Sequence, residues 1–218
     1  MPQPRSLKSN VTAGPRLVAA GALACVLGLA ATARSWSEEP PAAAEIVIYG
    51  FEGGLEGWAI PDWAKSSTDH VASELGVSET MADEGHQAMA LQAHFPGDGR
   101  WTGAYVERMA EITDWNAFGR LAVDIYVPAE APQGLGARII LSVGKSWTWT
   151  EMNRSIPLTP GAWTTVTVNM KPGSMDWKFF PDEEFRRDVR KLGVRIESNK
   201  EPAYTGPIYI DNIRLSEQ

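Results

Sequence analysis

Trp147 and Trp149 stand two residues apart with Thr148 between them, a spacing that on a β-strand sends both indoles to one face. Flat indole rings offer apolar surface at low conformational cost. The C–H faces of pyranose rings match that surface, and nearby polar side chains can then bond the hydroxyls. Glu151 and Asn153 follow the pair, giving a mixed aromatic and polar stretch. Trp101 and Tyr105 come after the turn at residues 96–99, and Trp177 lies in the loop 170–180. With Arg195 and Asp124 reaching hydroxyls from a sheet face, these residues make a candidate sugar platform. The competing reading is that some of the rings simply fill the core.

Two carboxylates suggest a second kind of chemistry. Glu52 follows Phe51, just after a strand expected over residues 45–50, and Asp211 interrupts the apolar run of a strand expected to end the chain. An ionised carboxylate in such a run is costly without a cation or a donor to compensate it. If the first and last strands are neighbours, Glu52 and Asp211 can share one metal ion. Two carboxylates cannot complete a hard-cation shell of six to eight oxygens, so carbonyls of the loop 85–87 are the candidates for the remainder. The alternative is that backbone amides or Arg214 satisfy Asp211 and that Glu52 is merely exposed.

The opening Phe51-Glu52-Gly53-Gly54-Leu55-Glu56-Gly57-Trp58 and the ending Gly206-Pro207-Ile208-Tyr209-Ile210-Asp211-Asn212-Ile213-Arg214-Leu215 carry a resemblance. The chain resembles the carbohydrate-binding modules of the galactose-binding-like β-sandwich class, which are often appended to secreted glycoside hydrolases. The match follows the order of features over residues 46–215 and is close only at the two ends. What it implies is a jelly-roll sandwich, a structural calcium ion at Glu52 and Asp211, and a polysaccharide or oligosaccharide ligand. A separate glycan-degrading enzyme is an implied partner.

Residues 1–33 read as a secretory signal peptide. Arg5, Lys8 and Arg16 precede an apolar stretch over 17–30, and Ala31-Thr32-Ala33 offers a cleavage site. The stretch is too short for a comfortable membrane span, so a secreted, periplasmic or extracellular protein without a transmembrane segment is expected. Cys25, the one cysteine, would be lipidated in the less favoured lipoprotein reading. Residues 34–44, with Pro40-Pro41, read as a linker, and 45–218 as one domain. The chain has 20 Lys and Arg against 27 Asp and Glu, a net charge of −7; without the three basic leader residues it is 17 against 27, or −10. That balance argues against nucleic acid as a partner.

The elements that must position these residues are strands. Leu121, Val123, Ile125 and Val127 alternate with Ala122, Asp124 and Tyr126; similar alternation runs through 138–143, 164–170 and 192–197. Strands are also expected at 71–77, 87–95, 104–109 and 148–156. The pattern predicts an all-β, two-sheet antiparallel sandwich with one short helix beginning at Asp182-Glu183-Glu184 and reaching Leu192. Asp124, Tyr126, Arg138, Ser142, Arg195 and Glu197 are expected to share one sheet face. Trp58, Trp115 and Trp163 are expected to be structural. His70, His86 and His94 do not form a zinc-protease motif, and no G-x-S-x-G elbow occurs. A non-catalytic glycan binder is therefore expected. A surface scaffold or protein-interaction module on the same fold and a jelly-roll hydrolase or lyase are the rivals.

Overall fold

The computed structural model describes residues 44–198 and 203–217; the expected leader, Cys25 and nearly all of the linker lie outside them. Eleven strands and two short helices follow in order among the described residues. They are β1 (Glu45–Tyr49), α1 (Asp62–Lys65), β2 (Ala72–Ser78), β3 (Ala88–Phe95), β4 (Thr102–Met109) and β5 (Arg120–Tyr126). Then come β6 (Leu135–Val143), β7 (Thr148–Glu151), β8 (Ile156–Pro157), β9 (Trp163–Asn169), α2 (Glu183–Arg187), β10 (Val189–Ser198) and β11 (Tyr204–Ser216). One sheet runs β2-β3-β11-β5-β9 with β1 beside β11, and the other runs β4-β10-β6-β7 with β8 beside β6. The pairings are antiparallel, so the expected two-sheet sandwich is the fold.

Alternation decides which side of each strand meets the other sheet. Leu192, Val194 and Ile196 of β10 are fully buried, as are Leu121, Val123 and Ile125 of β5. Each such side chain contributes roughly 1.5–3 kcal/mol relative to leaving it in water. Trp58 and Trp115 join this core as expected, and the Trp115 indole N–H is satisfied by the Ile112 carbonyl at 2.7 Å.

Two expectations need correction. The helix stops at Arg187, although Asp182 caps it by accepting the Phe185 amide at 2.7 Å. Val189 and Leu192 sit at helical spacing from Phe185, but they belong to β10, which is paired on one side with β4 and on the other with β6. Two full hydrogen-bond ladders outweigh one further turn of a short helix. The strand expected over 148–156 is also broken: β7 ends at Glu151, and pairing with β6 resumes only at Ile156 in β8.

Candidate functional site

The outer face of the β4-β10-β6-β7 sheet carries the polar half of each alternation. Register puts Tyr105 opposite Arg195 opposite Arg138, and Ser142 opposite both Lys191 and Trp149. Four of the six residues expected to share a face therefore do so: Arg138, Ser142, Arg195 and Glu197. Part of this face forms a cleft of about 660 Å³ whose lining includes Trp63, Trp101, Tyr105, Trp147, Trp149, Lys191 and Arg195.

Ion pairs hold the floor. Arg195 reaches Glu151 at 2.9 Å and Glu197 at 3.0 Å, and Arg138 donates to Glu197 at 2.8 Å. Lys178, from the loop after β9, closes on Glu151 as well. Lys191 meets Glu107 at 2.6 Å, and the Tyr105 hydroxyl donates to Glu107 at 2.8 Å. Burial, reinforced by the Glu107 charge, pushes the Tyr105 phenol far above its ordinary range, so it remains a donor. Burial alone would raise the Glu151 carboxyl. Its bond to Lys178 and the charges of Arg195, Lys178 and Arg138 outweigh that and hold it below its ordinary value.

Aromatic rings stand above this floor. Tyr105 lies across Gly193: a Cβ there would come within 2.6 Å of the ring, so glycine lets the phenol lie flat on the sheet. Trp63 packs on Tyr105 at 5.2 Å between centroids, and Trp149 on Tyr105 at 5.6 Å. The Trp101 ring lies over the Arg195 guanidinium at 5.1 Å. Trp63, Trp101, Trp147 and Trp149 are 52%, 37%, 44% and 40% exposed, which is enough to offer a ring face to a ligand.

The structure brings Trp101, Tyr105, Trp147, Trp149 and Arg195 together but corrects how one of them arrives. Trp147 is not on β7. It closes the β6–β7 turn in the left-handed region at φ 55°, with its amide bonded to the Gly144 carbonyl at 3.0 Å. It reaches the cleft lining by turn geometry rather than by strand alternation.

Trp177 and Asp124 do not belong to the platform. Trp177 is fully buried, packs on Phe185 at 5.9 Å and donates its indole N–H to the Asn169 carbonyl at 3.0 Å. Sequence spacing could not separate a loop tryptophan turned inward from one turned outward. Asp124, with Tyr126, is on β5 of the other sheet. There Asp124 takes bonds from Thr165 at 2.5 Å and Asn212 at 3.0 Å, and from Arg214. Trp163 faces out beside Tyr126 on that sheet, centroids 5.5 Å apart, rather than entering the core. Trp63, Glu107, Lys191 and Lys178 were missed. Trp63 sits on a four-residue helix outside any alternating pattern, so only its ring type marked it.

The carboxylate pair behaves differently. β1 lies antiparallel to β11, Tyr49 opposite Ile213, so Phe51-Glu52 emerges beside Asp211. Loop 83–87 folds onto both. Glu52 Oε1 accepts the amides of His86 at 2.8 Å and Gln87 at 3.0 Å. Asp211 Oδ2 accepts those of Asp83 at 2.8 Å and Glu84 at 3.2 Å, and Oδ1 that of Asn212 at 2.7 Å. The amide bonds anticipated as the alternative for Asp211 are therefore present, while Arg214 goes to Asp124 instead. Gly85 makes room for Glu52, since a Cβ would meet its Cδ at 2.7 Å.

This cluster still fits a cation. The side-chain oxygen of Asn212 is buried without a hydrogen-bond partner, and Asn212, Asp211 and Glu52 line one small cavity. Burial, with the Glu52 charge in the same direction, raises Asp211 despite its three amides. Backbone amides hold Glu52 below its ordinary range. Hard oxygens with surplus negative charge are the donor set calcium takes. Among the described residues no group of three His, Cys, Asp or Glu side chains has ligating geometry, so backbone and amide oxygens would have to complete a shell.

A β-sandwich with an aromatic-walled cleft on one sheet defines a class, and the comparisons say which. Residues 60–218 match the family model for carbohydrate binding module 27, so the chain belongs to that family. The matched span excludes β1 and the Phe51–Trp58 motif. No curated protein matches the chain. Among solved structures it is similar to a non-crystalline cellulose specific carbohydrate-binding module, CBM28. That match has 13% identity and a TM-score of 0.61 and covers 79% of this chain and 95% of that one. It is also similar to CBM27-1 of Caldicellulosiruptor saccharolyticus, solved with mannohexaose, at 16% identity and TM-score 0.55, covering 80% and 98%. At these identities it is the TM-scores that show the likeness, and what they show is the shared fold. The chain is a carbohydrate-binding module by family, and no helix among its described residues is long and apolar enough to cross a membrane.

Proposed function

We propose that this protein binds a neutral polysaccharide or oligosaccharide chain, without catalysis, in the cleft of the β4-β10-β6-β7 sheet. Four part-exposed indoles over a polar, ion-paired floor carry the reading. Trp63, Trp149, Trp101 and Trp147 supply stacking faces, Tyr105 lies between Trp63 and Trp149, and Lys191, Arg195 and Ser142 supply hydroxyl partners. Because the family relative named above was solved with mannohexaose, that oligosaccharide is the first ligand to test.

Glu151 of the cleft floor supports binding over hydrolysis. A glycosidase acid needs a raised pKa, and Glu151 is held below its ordinary range by three cations. A calcium ion at Glu52, Asp211 and Asn212 would be structural, linking the start of the domain to its last strand. The protein would act outside the cytoplasm, where a glycan-degrading enzyme works on the same polysaccharide.

Calorimetry with mannohexaose and cello-oligosaccharides, on wild type and Trp149→Ala, tests the cleft. Binding by the wild type and weakened binding by a variant of unchanged melting temperature are expected. Equal binding by both would move the site elsewhere, and turnover of the oligosaccharide would replace the binding reading with an enzymatic one.

A further inference from the structure

The chain between β1 and β2 lies as a strap along the free edge of β4, an edge strand of the cleft sheet. Near its start, Ala59 and Glu107 exchange two backbone hydrogen bonds, both 3.0 Å. Near its end, Val71 donates to the Gly103 carbonyl at 3.0 Å and Gly103 donates to the Asp69 carbonyl at 2.9 Å. Midway between those anchors is Tyr105, whose N–H and C=O open on the same edge, because alternate residues of an edge strand point outward. There the His70 side chain fills the gap. Its Nε2 lies 3.1 Å from the Tyr105 nitrogen and 3.2 Å from the Tyr105 oxygen. The strap also carries α1, and with it Trp63, which leans on Tyr105 and meets Trp149 edge-on at 6.3 Å.

We propose that His70 is a positioning residue for the cleft: its neutral imidazole pins the strap to Tyr105 and so holds Trp63 in place as one wall. The proposal rests on the glycan-binding reading of the same cleft. A neutral Nε2 accepts the Tyr105 N–H. A protonated Nε2 can only donate: it turns to the Tyr105 carbonyl, 3.2 Å away, and leaves the Tyr105 amide without its acceptor, so the brace changes its bond and the strap must shift to suit it.

The charge state follows from the surroundings. Burial lowers the His70 pKa below its ordinary value; the bond to Tyr105 and the Asp69 charge oppose this without cancelling it. The charged and titratable groups sharing the cleft are Asp69 on the strap, Tyr105 and Glu107 on β4, and Lys191 and Arg195 across it on β10. Because the folded pKa is the lower one, the fold favours the neutral ring. The bond from the Tyr105 amide is complete above the unfolded histidine value of about 6.5 and is lost as the pH falls through the folded value.

Protection factors for the amides of Ala59, Val71, Gly103 and Tyr105, followed by hydrogen exchange, test the proposal beside glycan affinity. Between about pH 7.5 and about pH 5, wild-type protection of the Tyr105 amide and glycan affinity should fall together. His70→Ala should show low strap protection and several-fold weaker binding at every pH, with β10 amides protected as in wild type. His70→Gln offers an amide oxygen that accepts without titrating, so it should restore both and flatten the pH profile. A wild-type pH profile in His70→Gln, or wild-type strap protection in His70→Ala, would overturn the proposal. A strap that loosens as described while no variant binds any glycan would sustain the positioning role and remove the glycan reading instead.

Discussion

The cleft floor and the clasp of exposed Glu52 with buried Asp211 both fix carboxylates, and they compensate them in opposite ways. In the floor, Glu107, Glu151 and Glu197 each meet a Lys or Arg side chain within 3.0 Å. The charges largely balance, and the side chains are fixed without further help. In the clasp, Glu52 and Asp211 meet backbone amides, chiefly of one loop, and Arg214, the guanidinium expected as Asp211's alternative partner, is committed to Asp124. Amides satisfy hydrogen bonds but do not neutralise charge. The floor is finished by the chain itself, whereas the clasp keeps the surplus negative charge that the proposed calcium ion would meet. It also separates two kinds of tryptophan: those above the floor are free to serve a ligand, and those between the sheets are not.

The largest expected effect contrasts two rings grouped together by sequence. Trp177→Ala should cost about 3–5 kcal/mol of stability in urea unfolding, the usual range for emptying a buried aromatic site. Trp149→Ala should leave the unfolding midpoint near wild type. Similar losses for both would mean that Trp149 is a core residue too.

Next in size is ligand affinity. Trp149→Ala and Trp63→Ala should each weaken glycan binding by roughly 1–3 kcal/mol, by analogy with base stacking on aromatic side chains. Calorimetry that finds only Trp101→Ala or Trp147→Ala impaired would shift the platform to the other rings of the cleft.

The clasp should respond where the floor does not. Calcium should raise the melting temperature with concentration and a chelator should lower it, because the ion binds only the folded state. Asp211→Asn keeps an acceptor for the loop amides and should abolish that response; Asp211→Ala should in addition lose roughly 1–3 kcal/mol through unsatisfied amides. A melting curve blind to calcium and chelator alike would leave the clasp as a purely amide-bonded joint.

The smallest effect concerns pH. Glu151 is depressed in the folded state, so its contribution is full above its unfolded value and is lost as the pH falls through the folded one, below about 4.5. Glu151→Gln should therefore flatten the stability profile only in that acid range. A change centred near neutrality would point to another group.

Much of the site was legible because it follows from period-2 alternation. Arg138, Ser142, Arg195 and Glu197 fell on one face as the sequence pattern requires, and Tyr105 joined them through the β4–β10 register. Asp124 and Tyr126 obey the same alternation yet lie on the other sheet, because alternation assigns a face within a strand and not the sheet to which the strand belongs. Trp63 was illegible for a different cause: a single turn of helix has no period to read.

The sequence by itself determined the strand faces and the sandwich class, since these depend on local apolar patterns and on two recognisable end motifs; that the first and last strands are neighbours was only a condition there, and the β1–β11 pairing met it. Tertiary structure alone decided which tryptophans are exposed and how each carboxylate is compensated. Those outcomes depend on partners distant in the chain: Phe185 and Asn169 for Trp177, Lys178 and Arg195 for Glu151, and the 83–87 loop for Asp211. A ring or a carboxylate has the same intrinsic chemistry in either setting, and what differs is how much water and how many partners the completed fold leaves it.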